Sequence, residues 1–533
     1  MMHARAVASI IALVAGAATL HADPRLTSWM TTNSTKYGRV TETTTTAPVA
    51  VWPSAGIPKN AGSPTQTVPA YADVQQILVS ANFVYVRSAD FASHRMGPWY
   101  KEYEKVTVNG LWPSNRKLTS KIPRNPVAVS NPIVVAQQVG QGPVGVLVNG
   151  VTIANLGDGS GYDTALAKDA GVTGGGIPGN QSDVWIRNAT GAEGPILDSG
   201  FGHPAPDGGY HYHASPRALR YQLGDNLTLV PGGASTPQID TYIENTTNLH
   251  HSPIIGWAYD GFPIYGPYGY STAMDANSPV RRMVSGHVPR DGTNGTTNLT
   301  TAGRHSLAPW AALFHTFTTT LGSSDYALPS TSWGPNVSAS FPIGWYAEDF
   351  DFLGDIVKPG TGGAHYQQGV DYDLDKPNGR TCATPEFPGG TYAYFIPIDA
   401  SGAPAFPYSI GRYWNGNRTG GRVVNGNITE SVTTLFNGGP AVAETWNSAP
   451  EIAPANGNVT ISWNSLEGGS YKVEASPDLA IWTSIFTGYA AAANATKTSA
   501  AESGAALPAS NAKRFYRVSR TSVATYDPAY TGQ

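Results

Sequence analysis

Alternating hydrophobic and polar positions dominate the middle of the chain. Runs such as NFVYVRS (82–88), VGVLVNGVTIANL (144–156) and GTYAYFIPI (390–398) are rich in β-branched and aromatic residues and are separated by Gly, Pro and Asn. Such runs are typical of strands, and few windows keep a helical period, apart from PWAALFHTF (309–317). The pattern predicts a mainly β protein whose principal unit is a large β-rich domain over residues 70–445.

The C-terminal segment, residues 446–533, alternates more regularly. Val459, Ile461 and Trp463 share one face of a run, and Tyr516 and Val518 share one face of another. With turns roughly ten residues apart, this pattern is typical of a small β-sandwich. It resembles the fibronectin type III-like modules at the C-termini of many exported bacterial proteins, which implies a spacer or an adhesive unit.

The N-terminus predicts export. Residues 1–22 combine Arg5 in a short basic start, an apolar stretch from Ala6 to about Leu20 and small residues ending near Ala22, as secretory signal peptides do. The apolar run is shorter than the roughly 20 residues that a membrane span needs. We therefore expect a secreted protein, periplasmic or extracellular, without a transmembrane segment. Residues 23–69, rich in Thr, Ser and Pro, read as an extended arm or linker.

Composition narrows the possible functions. Only 13% of the 533 residues are charged and the net charge is −4, which offers no basic surface for a nucleic acid. Cys382 is the single cysteine, so no intrachain disulfide can form. The sequence contains no G-x-S-x-G elbow, no P-loop and no dinucleotide fingerprint before a helical pattern, so hydrolase triads and nucleotide cofactors are not expected.

The stretch DGGYHYHASP, residues 207–216, carries the most specific chemistry. Side chains alternate faces along a strand, so His211 and His213 should point one way while Tyr210 and Tyr212 point the other. A tight return through Pro and Gly can bring His203 beside them. Three imidazoles on a β scaffold suit zinc, copper, iron or nickel. The competing interpretation is a half-buried strand with hydrogen-bonded histidines and packed tyrosines.

The same stretch resembles the YHYH-domain proteins of bacteria and some marine eukaryotes. Blocks in the family order occur at LDSGFGHPAPDGGYHYHASP (197–216), GWAYDGFPIYGPYGY (256–270) and DLDKPNGRTCATPEFPGGTYAYFIPIDASGAPAFPYSIG (373–411). Ser199 stands where relatives often carry a cysteine, so any link made by that cysteine is absent. The resemblance implies an exported β-rich domain and leaves its chemistry open.

Carboxylates in two other blocks are further candidates. Asp260, in the loop YDGFPIYGPYG, is either a ligand or base beside the histidines or a turn-capping residue. Asp371, Asp373 and Asp375 alternate before a turn, as in a calcium loop, but Lys376 and Cys382 occupy positions where an EF-hand needs Gly and Glu. A looser calcium site and a solvated acidic turn both fit this segment.

Two functions follow. In the first, His203, His211 and His213 hold zinc or copper, assisted by Asp260 or Glu386. Such a site either activates water or oxygen at an open coordination position or simply binds metal. In the second, the protein is a non-catalytic adhesive or carbohydrate-binding protein of the cell surface, in which 13 Trp and 27 Tyr offer stacking platforms to a polysaccharide. We take the metal hypothesis as the primary one.

Overall fold

The computed structural model describes most of the central region and parts of both ends. The described residues are 71–99, 111–171, 184–232, 240–437, 450–455, 457–464, 470–490, 497–504 and 513–522, with short pieces between 23 and 70. The expected signal peptide, residues 1–22, lies outside the described residues.

The prediction of a mainly β protein is confirmed. The described part contains four short α-helices, α1 Ala189–Glu193, α2 Arg217–Gln222, α3 Leu299–Ala302 and α4 Pro309–Phe314. Its 32 strands are β1 Arg39–Val40, β2 Val74–Val79, β3 Phe83–Ser88, β4 Arg95–Met96, β5 Leu118–Pro123, β6 Pro143–Leu147, β7 Thr152–Ala154, β8 Gly157–Asp163, β9 Lys168–Gly171, β10 Ile186–Asn188, β11 Gly202–Pro204, β12 Tyr210–Tyr212, β13 Leu227–Val230, β14 Thr241–Glu244, β15 Ile254–Ala258, β16 Pro263–Tyr265, β17 Tyr268–Tyr270, β18 Val280–Arg282, β19 His287–Pro289, β20 Ser306–Leu307, β21 Tyr326–Ala327, β22 Phe350–Phe352, β23 Gly379–Cys382, β24 Thr391–Phe395, β25 Gly421–Arg422, β26 Thr433–Asn437, β27 Glu451–Ala455, β28 Asn458–Asn464, β29 Ser470–Ser476, β30 Thr483–Ala490, β31 Lys497–Glu502 and β32 Phe515–Ser522.

An eight-stranded mixed sheet forms the centre of the fold. Its strand order is β11-β12-β7-β6-β15-β16-β24-β23. Two neighbouring pairs, β12 with β7 and β16 with β24, run parallel, and the other pairs run antiparallel. The hairpin of β11 and β12 therefore lies at one edge of the sheet, with β11 as the edge strand and β12 paired on both sides.

A five-stranded antiparallel sheet, in the order β25-β5-β3-β2-β26, shares its core with the central sheet. Val84 and Val86 of β3 belong to the same buried cluster as Val146 of β6 and Trp257 of β15. Burying apolar side chains of two sheets against each other is the main source of stability in such an arrangement, at about 25 cal/mol for each Å² removed from water.

A second buried cluster surrounds α4. Trp185, Trp310, Phe350 and Phe406 belong to it, and every residue of α4 is buried. The helix expected from PWAALFHTF is thus present, with Pro309 at its first turn, where a missing backbone N–H removes no hydrogen bond. A helix that is apolar on all sides is buried on all sides.

The described residues of segment 23–69 lie against the domain as an arm. Val74 donates its backbone N–H to Met30 and Met30 donates to Val148, each at 2.9 Å. Trp29, Val40 and Trp52 contribute side chains to the main core. This packing is not evident from the sequence, because the segment has no regular hydrophobic period.

Near the C-terminus, two three-stranded antiparallel sheets, β27-β28-β31 and β30-β29-β32, share a small core. Ile461, Trp463, Tyr471, Val473 and Val518, whose alternation was visible in the sequence, are buried in it. Among the described residues, no helix has the length and apolarity needed to cross a membrane.

Candidate metal centre

The hairpin β11–β12 carries the candidate site. Its two strands pair in antiparallel register, so that His203 lies directly opposite His211. The connecting turn is closed by backbone hydrogen bonds between Ala205 and Gly209 and from Gly208 to Ala205, each 2.9 Å. Gly208 has a φ of 87°, a conformation that glycine adopts without strain. The return predicted from the Pro and Gly residues brings His203 to the histidine pair.

The two tyrosines of the YHYH stretch point into the core, as the alternation predicts. Tyr210 and Tyr212 are fully buried. The Tyr210 hydroxyl donates to Asp198 at 2.8 Å, and the Tyr212 hydroxyl lies 2.7 Å from His94 Nε2. Both phenols therefore hold strand β12 by packing and by hydrogen bonds at their tips.

His94 supports this strand from the neighbouring segment. Taken singly in the sequence, it reads as a surface loop histidine, but it is buried. Its Nδ1 lies 2.9 Å from the Arg95 carbonyl oxygen, which accepts only. Nδ1 therefore carries the proton in neutral His94, and the Tyr212 hydroxyl donates to the bare Nε2.

Three imidazoles meet on the other face of the hairpin. His203, His211 and His213 each offer one nitrogen, and these nitrogens lie within 4.8 Å of one another. The Nε2 atoms of His211 and His213 are 3.0 Å apart, and two nitrogens bound tetrahedrally to one zinc ion are about 3.3 Å apart. The nitrogens of the whole group lie up to 4.8 Å apart, so the three rings would have to move closer together to bind one zinc ion tetrahedrally.

Backbone carbonyls determine which nitrogens face the site. His213 Nδ1 lies 2.8 Å from the carbonyl oxygen of Asn155, and His211 Nδ1 lies 3.1 Å from that of Gly209. Each Nδ1 must donate to these acceptors, so in the neutral imidazoles both Nε2 atoms present lone pairs. Two lone pairs at 3.0 Å repel each other unless a proton or a metal ion lies between them.

Glu193, the last residue of α1, completes the cluster. Its Oε2 atom is 3.0 Å from His213 Nε2 and 3.1 Å from His203 Nε2. Neither ring nitrogen of His203 has a hydrogen-bond partner among the described residues, and neither does Oε2 of Glu193. These atoms are therefore close enough to share a common ligand.

Burial and neighbouring charges set the protonation of the group. Burial and the adjacent His203 and His213 lower the pKa of His211 well below its usual value. Burial alone would raise the pKa of Glu193, but His213 and His203 outweigh it and hold that pKa well below its ordinary range. For His213 burial lowers the pKa, whereas the carboxylate of Glu193 outweighs burial and raises it. The shifts of His211 and Glu193 favour the neutral imidazole and the ionised carboxylate that bind metals, whereas on His213 a metal ion would have to displace the proton that Glu193 favours.

A cavity of about 330 Å³ opens onto the cluster. Its lining includes all three histidines and Glu193, together with Thr152 and Arg422. This volume lies at the lower end of the range for small-molecule sites. A metal ion held here is accessible to a small molecule, which is the condition for an open coordination position.

Comparison with known proteins identifies the family of the chain. A family model described as "YHYH protein" matches residues 119–406, more than half of the chain. The chain belongs to the YHYH family. The match includes the hairpin, α1 and all eight strands of the central sheet, and it ends before the C-terminal strands. No curated protein and no solved structure matches the chain.

Asp260 lies elsewhere in the YHYH domain. It follows β15, is fully buried, and accepts hydrogen bonds from the Tyr394 hydroxyl at 2.6 Å and from the Gly416 backbone N–H at 3.0 Å. No contact within the described ranges links it to the histidines, and Glu193 takes the position that we had expected of it. Its role in the domain is to join β15, β24 and the segment at Gly416.

The three carboxylates considered for calcium are directed to different partners. Asp371 binds Lys358, Asp373 binds Arg281 through both oxygens, and Asp375 accepts from the Tyr392 hydroxyl at 2.9 Å. The structure does not bring the three carboxylates together as ligands of one ion, because each accepts hydrogen bonds from a different side chain of a neighbouring strand or loop.

Glu193 is the ligand candidate that the sequence did not reveal. It lies in the segment GAEGP, ten residues before His203, without a spacing that signals metal binding. Its place depends on α1, whose N-terminal cap is Asn188: the side chain accepts from the backbone N–H of Thr190 at 3.0 Å. A cap of this kind can be predicted from the sequence. The direction of the helix, which decides where Glu193 lies, cannot.

Proposed function

We propose that this YHYH protein binds a divalent transition metal, zinc or copper, through His203, His211 and His213, with Glu193 as a fourth ligand. The observation that carries the proposal is the convergence of three imidazoles whose nitrogens lie within 4.8 Å of one another, with the Nε2 atoms of His211 and His213 3.0 Å apart and both rings held by backbone carbonyls. Imidazole and carboxylate ligands suit both metals. The cavity beside the cluster supports a role in which a small molecule binds the metal as a fifth ligand, an expansion of coordination that zinc allows, so that the metal would supply Lewis-acid or oxygen chemistry.

The carbohydrate-binding alternative has less support. It needs an exposed row of aromatic side chains, and the exposed aromatic residues of the described part are Tyr221, Tyr326 and Trp333, which come from separate segments. The tryptophan among them is Trp333. That side chain already stacks on His305, with ring centroids 3.8 Å apart.

Export belongs to the same proposal. It rests on the signal-peptide pattern of residues 1–22. The C-terminal strands, in two sheets around a common core, support a fibronectin type III-like module that spaces or attaches the metal-binding domain.

The test is elemental analysis of the exported protein, prepared without an affinity His-tag. The double variant His211→Ala/His213→Ala removes two of the three imidazoles, and His365→Ala serves as the matched control because His365 is exposed and outside the cluster. We expect about one zinc or copper ion per chain in the wild type and in the control, and none in the folded double variant. Electron paramagnetic resonance separates copper(II) from zinc.

A graded variant sharpens the test. Glu193→Gln keeps the shape of the side chain and removes its charge, so we expect metal affinity to fall about 10- to 100-fold. A folded wild-type protein that contains no metal and takes up neither zinc nor copper on dialysis would overturn the proposal.

A further inference from the structure

Arg422 lines the same cavity as the three histidines. It belongs to β25, which pairs with β5 through the register Arg422 to Ser120. Its guanidinium reaches toward Thr152 of β7, the residue that lies beside His211 in the parallel pairing of β7 and β12. A cation is therefore placed beside β7, the strand next to β12, which carries His211.

The guanidinium is only loosely engaged. Its Nη2 atom lies 3.5 Å from Thr152 Oγ1 and 3.7 Å from Asp90 Oδ2, distances at or beyond the limit of a hydrogen bond. The side chain of Arg422 is 38% exposed. Most of its five N–H donors are thus available to a ligand in the cavity, and their planar fork matches an oxyanion.

The other charges around the cavity are already paired. Asp158 binds Arg187, and Asp207 binds Arg116 at 2.9 Å. A divalent ion held by neutral imidazoles and Glu193 leaves one net positive charge, and Arg422 adds a second that Asp90 offsets only across 3.7 Å. Electrostatically, such a cavity favours an anion.

We propose that the cavity binds a small organic oxyanion, a carboxylate or a phosphate ester, with its oxyanion on Arg422 and another polar group toward the metal. This inference rests on the proposed metal site. A volume of about 330 Å³ admits a small metabolite-sized molecule and not a folded polymer segment. The arrangement assigns Arg422 as a positioning residue for the ligand, because a bidentate guanidinium fixes orientation as well as charge.

The test is calorimetric titration of the metal-loaded protein with three probes. Succinate represents a carboxylate, glycerol phosphate a phosphate ester, and glycerol is the matched uncharged probe. Arg422→Gln is compared with Arg418→Gln, a control in the same segment whose side chain is exposed and lies over the Trp414 ring. Metal content is measured separately on every sample, and Arg422→Lys keeps the charge while removing the fork.

We expect at least one charged probe to bind the wild type and glycerol not to bind. Arg422→Gln should weaken binding at least about tenfold, as loss of a hydrogen bond to a charged group does, with Arg422→Lys between the two and Arg418→Gln unchanged. Metal content should be the same in all four proteins.

The two proposals fail in different ways. Metal-loaded wild type that binds neither succinate nor glycerol phosphate, or that binds them equally well after Arg422→Gln, overturns the oxyanion site and leaves the metal site standing. Protein without metal overturns the proposed function, and any binding that still depends on Arg422 then belongs to the guanidinium alone.

Discussion

At the scale of single residues, the two faces of the YHYH strand have different roles: the tyrosines pack into the core and the histidine faces the cavity. Tyr210 and Tyr212 face the core, where Asp198 and His94 satisfy their hydroxyls, while His211 faces the cavity. The buried hydroxyl groups are hydrogen-bonded, so each tyrosine holds β12 both by the packing of its ring and by a hydrogen bond. The imidazoles gain a rigid base without any contact to the tyrosines themselves.

Tyr212→Phe tests this support. Removing the hydroxyl leaves Nε2 of buried His94 without its donor, and an unpaired buried group of this kind costs about 1–3 kcal/mol. We expect the free energy of unfolding in urea to fall by that amount while metal stoichiometry is unchanged. Tyr221→Phe, at a 38% exposed position, should have little effect, and equal losses in both variants would contradict the argument.

Asp260 predicts a pH dependence of stability. Burial raises its pKa to about 6, against partial compensation by hydrogen bonds from Tyr394 and Gly416, whereas an unfolded Asp has a pKa near 3.9. Between about pH 4 and pH 6 the folded protein therefore keeps a proton that the unfolded chain has lost. The contribution of Asp260 to the free energy of unfolding falls as pH rises through this range, by up to about 3 kcal/mol.

The variant Asp260→Asn removes this titration. Compared with wild type in urea unfolding from pH 4 to pH 7, it should be relatively less stable at pH 4 and gain toward pH 6. Asp275→Asn, an exposed position, is the control. Parallel stability curves for wild type and Asp260→Asn would show that Asp260 is ionised throughout this range.

At the scale of elements, the hairpin β11–β12 brings His203 and His211 together because its two strands approach closely. A Cβ atom added at Gly202 would lie 2.3 Å from the ring of Tyr210, and the Gly202 carbonyl oxygen accepts a hydrogen bond from the Trp99 indole at 3.1 Å. Gly202 therefore leaves room for the Tyr210 ring, and this contact holds His203 and His211 in register.

Gly202→Ala is expected to displace Tyr210 and to loosen the hairpin. Forcing a methyl group into a packed site costs about 1–3 kcal/mol, so the melting temperature should fall and metal should bind more weakly. Gly389→Ala is the control, since a Cβ atom there meets nothing within 4 Å. A variant at Gly202 with the melting temperature and metal content of wild type would refute this role.

At the scale of the whole molecule, the site depends on segments spread over the large domain. The hairpin, α1 and β25 come from residues 189–212 and 421–422, and β26 closes the far edge of the five-stranded sheet by pairing with β2. The C-terminal strands have a separate small core. The metal-binding unit should therefore require the chain up to Asn437 and not the C-terminal sheets.

Two truncations test this boundary. A chain ending at Asn437 should retain the metal content and the melting temperature of the large domain. A chain ending at Gly426 lacks β26 and the amide hydrogen bond of Gln76 with Asn437, and it exposes the edge of β2, so its melting temperature should fall by a few degrees. Loss of metal from the longer fragment would place part of the site beyond residue 437.

The amino-acid sequence by itself determined the strand content and the two faces of the YHYH stretch. Both are local properties, because the alternation of side chains along an extended backbone needs no distant partner. It also indicated the tight return that brings His203 beside His211, since Pro and Gly act within a few residues.

Only the tertiary structure decided the rest of the site. Glu193 lies beside His213 because of the direction in which α1 ends. Arg422 approaches Thr152, from which 270 residues of chain separate it. Asp260 instead forms a hydrogen bond with Tyr394, 134 residues away. Trp29 and Trp52 are buried in the main core, although the hydrophobic pattern of their own segment does not predict this. Such contacts depend on which surfaces pack together, and packing over long separations is a property of the whole fold and not of any local pattern.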